Sequence, residues 1–214
     1  MRPITVTVGP LATAGPTKIA LSQTPAGAGA LTLNGALVTG AVAIMDTPRR
    51  VLITTTDTTT KFTINGLTPT NNALSETVIA VAGSVQSSLD YAQVTSITVN
   101  QGTTAAVTVG TNGVASSAWV RLDEWSFPQV GIQCDVSGTV NYTVQSTMDD
   151  PNSPTAPVAL SAVTWVNTSD AAAVAATAAL QTNYLFSPLY VRVLLNSGTG
   201  SVTATVVQYN AVSK

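Results

Sequence analysis

Apolar and polar residues alternate along most of this chain. Ile4–Val8 reads ITVTV, with Ile4, Val6 and Val8 on one side and threonines on the other, which is the period of a half-buried strand. KIALS, ALTLNG and VTGAVAIM follow, separated by the turn-forming TPAGAGA and by Asn34–Gly35. RRVLITTT (Arg49–Thr56) and KFTING (Lys61–Gly66) predict a hairpin around a polar TDTTT tip, and ETVIAVAG (Glu76–Gly83) a further strand. TSITVN (Thr95–Asn100) and TTAAVTVG (Thr103–Gly110) predict a second hairpin across Gln101–Gly102. VGIQCDV and TVNYTVQS predict a third across Ser137–Gly138. YVRVLLN (Tyr190–Asn196) and SVTATVVQY predict a fourth across Ser197–Gly200. The last two share SGT followed by alternation that ends in Val-Gln (Val144–Gln145, Val207–Gln208), a short internal echo that common turn chemistry also explains. Threonine suits such strands because its branched Cβ fits the pleat and its hydroxyl keeps the wet face polar.

Two segments break the alternation. SDAAAVAATAALQ (Ser169–Gln181) predicts a short helix capped by Ser169 or Asp170, with an extended loop as the alternative. MDDPNSPTAP (Met148–Pro157) is a loop, because proline and turn formers interrupt any ladder. Composition shifts near Thr111–Ser117, and all three tryptophans follow it. The expected fold is all-β: two consecutive antiparallel β-sandwich or jelly-roll-like domains, residues 1–113 and 114–214.

Composition narrows the function. Hydrophobic residues make up 45% of the chain but aromatics only 5%, so the core is built of Val, Ile, Leu and Ala. Charged residues are 8%, against roughly 25% in an ordinary domain. The net charge is −2, and apart from Arg49–Arg50 the cations are scattered, so direct nucleic-acid binding is not expected. There is no polybasic anchor and no apolar run of about 18 residues, so no membrane association is expected. MRPITVTVGP lacks the charged head, apolar stretch and small-residue site of a secretion signal, which predicts use without export.

The chain is poorly supplied for catalysis, and neither enzyme activity nor a cofactor is expected. It has no histidine to serve as a general base, and no motif sets Lys18, Lys61 or Lys214 beside a serine. One cysteine without histidine excludes the usual zinc sites, and no phosphate-binding loop is present. Asp123 and Glu124 would face opposite sides of a strand. Asp149 and Asp150 precede Pro151, where Asp makes turns; weak calcium binding is the minor alternative. Asn141 and Asn167 match the glycosylation pattern by chance on this reading. Cys134 reads as a buried apolar side chain or as a thiol bridging two subunits. Trp119, Trp125 and Trp165 read as core or interface, or as an exposed ledge that stacks on sugar rings, with Phe127–Pro128 forming a turn nearby.

The order of several motifs carries a resemblance. AWVRLDEWSFPQVGIQCDVSGTVNYTVQSTMDDP, then TWVN, then YVRVLLNSGTGSVTATVVQ is similar to a module of tailed-bacteriophage virion proteins. SQTPAGAGALTLNGALVTGAVAIMDTPRRVLITTT and SLDYAQVTSITV also look like segments of phage structural proteins, so the resemblance covers most of the chain. The chain departs from it in Ser169–Gln181. The resemblance implies a virion component assembled in the bacterial cytoplasm, such as a capsid decoration or cement protein. Its partners would be the major capsid protein or other virion subunits, and it would form a homo-oligomer (a trimer, by analogy). A tail or adaptor protein and a carbohydrate-binding adhesion module are the alternatives. The residues expected at an interface are Arg2, Ile4, Val6 and Val8, as an arm adding a strand to a neighbour or as an ordinary first strand, together with Trp119, Trp125 and Phe127.

Overall fold

The computed structural model describes residues 3–123 and 129–208. It is an all-β protein of two compact units. The medial unit is Ala12–Gly113, and the terminal unit combines Met1–Leu11 with Val114–Lys214. The expected division into consecutive domains therefore needs one correction. The first eleven residues fold with the last hundred, because β1 (Ile4–Val8) finds its partner at the far end of the chain.

The medial unit contains β2 (Gly15–Gln23), β3 (Gly29–Ala30), β4 (Val38–Thr39), β5 (Val42–Thr55), β6 (Lys61–Leu67), β7 (Ala73–Ile79), β8 (Gly83–Gln86), β9 (Tyr91–Val99) and most of β10 (Val107–Ser116). The alternation places Phe62, Ile64, Val51, Ile53, Val94 and Ile97 inside. The predicted β5–β6 hairpin does not form, because β9 lies between those strands and pairs with both. Gly66 permits this close approach: a Cβ there would collide with the Gln93 carbonyl and the Tyr91 ring. β9 and β10 do not pair as a hairpin either; β10 takes β2 as a partner. The tight turn between β4 and β5 uses Gly40 and Ala41, at φ of 59° and 67°, as a two-residue hairpin requires.

A cation is buried in this unit. Arg49 is 1% exposed. Its Nη2 donates to the Ala12 carbonyl at 2.6 Å and to Asp46 Oδ2 at 2.9 Å, and Nη1 donates to Thr111 Oγ1 at 3.3 Å. Nε lies 2.8 Å from Asp46 Oδ1. Burial pulls the guanidinium pKa below its usual value, and Asp46 opposes the shift.

The terminal unit adds β11 (Val120–Arg121), β12 (Val130–Ser137), β13 (Val140–Thr147), β14 (Val166–Asn167), β15 (Leu180–Tyr184), β16 (Tyr190–Gly198) and β17 (Ser201–Gln208). One sheet has the order β1-β17-β12-β15. The facing sheet runs β14-β13-β16, with β11 also on β16. Ile132, Cys134 and Val206 from the first sheet meet Tyr142, Val144 and Val193 from the second in one core.

The third and fourth predicted hairpins are corners instead. β12 and β13 lie in different sheets, as do β16 and β17. Each SGT turn carries the chain from one sheet to the other. β12 then pairs with β17, and β13 with β16. The two corners stack: the amides of Thr199 and Gly200 both donate to the Thr139 carbonyl, at 3.0 and 2.9 Å. Gly198, at φ 118°, is needed there because a Cβ would strike the backbone of Thr139 and Val140.

Ser169–Gln181 is not an α-helix. It holds a 3-10 turn at Ala171–Ala173, capped by Asp170, whose Oδ1 accepts from the Ala172 amide at 3.0 Å. The chain then extends, because Ala173 and Ala176 sink into the core and Ala176 exchanges backbone hydrogen bonds with Tyr142.

Candidate functional site

β1 is the residue set that sequence reasoning placed at an interface. It sits at the edge of its sheet in unbroken antiparallel register from Ile4↔Val206 to Val8↔Val202. Val8 is fully buried, and Ile4 and Val6 pack against the same core. Thr5 and Thr7 point outward and meet Thr205 and Thr203 at 3.4 and 3.1 Å. β1 is thus a structural strand of the terminal unit that pairs with β17 on one side and, among the described residues, with no strand on the other. Arg2, Trp125 and Phe127 lie outside the described residues.

Trp119 and Trp165 come together. Their ring centroids are 4.8 Å apart at 75°, and Tyr190 packs 5.8 Å from Trp119. Both indoles are half-buried. The Arg192 guanidinium lies 4.2 Å from the Trp165 centroid, and its Nε donates to Gln145 Oε1 at 2.9 Å. The Met148–Pro157 loop is tied to this cluster, since the Tyr190 hydroxyl donates to Asp150 Oδ1 at 3.2 Å. Asp150 also accepts from the Asn152 amide two residues on, the turn chemistry expected of it, whereas Asp149 accepts from the distant Thr164 amide and ties two loop segments together. An edge-on ring pair with a cation over one face packs a loop onto a sheet. Trp125, the third member of the ledge the sequence offered, lies outside the described residues.

Cys134 is fully buried between the two sheets. Its sulfur has no surface from which to bridge a neighbouring subunit. Burial pushes the thiol pKa up to about 11, with a hydrogen bond to Tyr142 opposing. The folded state therefore holds this proton in a range where the unfolded chain has begun to release it. Stability present at neutral pH is expected to decline as pH rises from the thiol's ordinary range toward 11, by at most about 1.4 kcal/mol per pH unit. Buried Tyr142 and Tyr184, both shifted up by burial, act in the same direction at higher pH. Urea midpoints across alkaline pH test this: Cys134→Ala should flatten the decline at its onset, and the folded thiol should resist reagents that label the unfolded chain.

The outward face of the β1-β17-β12-β15 sheet gave no signal in the sequence. It carries a row Thr5–Thr205–Gln133–Gln181 across all four strands. Gln181 Nε2 donates to Gln133 Oε1 at 3.1 Å, and Gln133 Nε2 donates to Asp135 at 3.1 Å. The next row is Val207–Gly131–Asn183. Alternation marks these positions as outward but not as neighbours, because their pairing spans up to 200 residues (5 to 205).

No known protein family, characterised protein or solved structure matches this chain. Among the described residues no group of three or more acidic, Cys or His side chains could hold a metal ion, and no helix is long and apolar enough to cross a membrane.

Proposed function

We propose that the protein is a non-enzymatic structural subunit of a tailed-phage particle, a capsid decoration or cement protein that binds the major capsid protein or other virion subunits. The observation that carries this reading is the open edge of β1. Natural edge strands are usually blunted by a lysine, a bulge or a covering loop. β1 contains no charge and no register shift. Such an edge can accept a strand from a neighbour through main-chain hydrogen bonds, and many copies of a modest contact stabilise a shell by avidity. The order of motifs that resembles virion modules supports the same reading.

Edge lysines test it without disturbing the core. Thr5→Lys with Thr7→Lys changes two exposed side chains, so thermal stability should stay within about 0.5 kcal/mol of the parent. Occupancy on native particles, read by electron microscopy and gel densitometry, should fall severalfold. Equal occupancy, or absence of the protein from particles, overturns the proposal. The same images place the subunit on head or tail.

A further inference from the structure

The outward face of the first sheet contains a glycine that the fold does not require. Gly131 sits inside β12, where the register with β15 and β17 runs without a bulge from Val130 to Cys134. Its φ is not among the left-handed ones. A Cβ there would meet only the Val207 carbonyl, at 3.9 Å. Glycine within a strand weakens it, and where no bulge, bend or close backbone calls for it, the remaining reason is room for something that approaches the sheet.

That room is real. A shallow groove of about 530 Å³, widely open to solvent, lies over Gly131. Gln133, Gln181 and Asn183 rim it with amides, Thr205 adds a hydroxyl, and Asp170 stands at the margin. Val207, 42% exposed and directly opposite Gly131, gives it an apolar floor.

We propose that this groove binds a neutral oligosaccharide. A pyranose ring has an apolar C–H face and a rim of hydroxyls. The face matches the low floor of Gly131 and Val207. Amides offer donor and acceptor side by side, so they suit hydroxyls that must both give and accept a hydrogen bond. The lining contains one carboxylate and no cation, which disfavours sulfated or acidic sugars. The groove lies apart from the aromatic cluster, and the inference stands independently of a role in a particle.

The test titrates the full chain with xylohexaose, cellohexaose, maltohexaose, mannohexaose and chitohexaose, with a heparin hexasaccharide as the anionic arm. Calorimetry gives affinity, and amide chemical shifts give location. At least one neutral probe should bind with a Kd of about 1 mM or tighter, with shifts at Gly131, Gln133 and Asn183. Gly131→Val should weaken that binding at least about tenfold while the melting temperature holds or rises, because valine suits a strand and has space here. Gln133→Ala should also weaken it. No neutral binding at about 10 mM overturns the proposal. So do stronger binding of the heparin fragment, shifts clustered elsewhere, and unaltered binding by folded Gly131→Val.

Discussion

Deleting residues 1–8 is expected to lower the unfolding midpoint of the terminal unit sharply. Val8 is fully buried, and Ile4 and Val6 cover the same core. Burying one such side chain stabilises by about 1.5–3 kcal/mol, and the deletion also strips a five-residue ladder from β17. A loss of about 4 kcal/mol or more follows, a large part of an ordinary domain's stability. Tryptophan fluorescence reads the effect cleanly, because Trp119 and Trp165 pack within the terminal unit and the sequence of Ala12–Gly113 contains no tryptophan. Amide exchange within Ala12–Gly113 should change far less. An arm held only by neighbouring subunits would leave the fluorescence midpoint where it was.

Arg49→Ala should also destabilise the medial unit, by about 2–3 kcal/mol, chiefly through lost packing of a buried side chain. The lost side chain holds Asp46, the Ala12 carbonyl and Thr111 together from a site almost without solvent. Truncation leaves the Ala12 carbonyl short of a donor and opens a cavity the length of a guanidinium. Arg49→Lys should recover little, because an ammonium is a point charge and cannot fan out to three acceptors. Arg49→Met should recover part of the packing while leaving the polar groups unmet. Urea unfolding followed by far-ultraviolet dichroism, with exchange at β5 and β9 amides, separates these outcomes. A loss below about 1 kcal/mol for Arg49→Ala would show that solvent replaces the cation at no great cost.

Most strands were legible in the sequence, though ALTLNG is a strand only at Ala30; their partners were not. ITVTV, VGIQCDV and SVTATVVQ are strands with the faces that alternation assigns. An SG turn between two alternating runs is the same local signal for a hairpin and for a corner between sheets. The choice is made by Val140, Tyr142 and Val144, which must meet Ile132 and Cys134 across a core rather than beside them in a ladder. Similarly, nothing near Lys61 announces that β9 will slip between β5 and β6; Gly66 marks that approach only once its neighbours are known. Of the two caps the sequence offered, Ser169 and Asp170, it is Asp170 that caps, but only a 3-10 turn, because helix propensity lost to the burial of Ala173 and Ala176. Arg49 was visible only as half of a basic pair, and Gly131 only as a glycine between Val130 and Ile132.

The pairing of Ile4 with Val206 imposes an order on biogenesis. At roughly 5–20 residues per second, β1 leaves the ribosome about 10–40 s before β17 exists. Throughout that interval its apolar side has no permanent home, and closure of the terminal unit must await the last strand. A chain halted before Ser201 keeps an adhesive segment exposed and is a natural client for chaperones. Only once β17 has been made can β1 pair and the core of the terminal unit close.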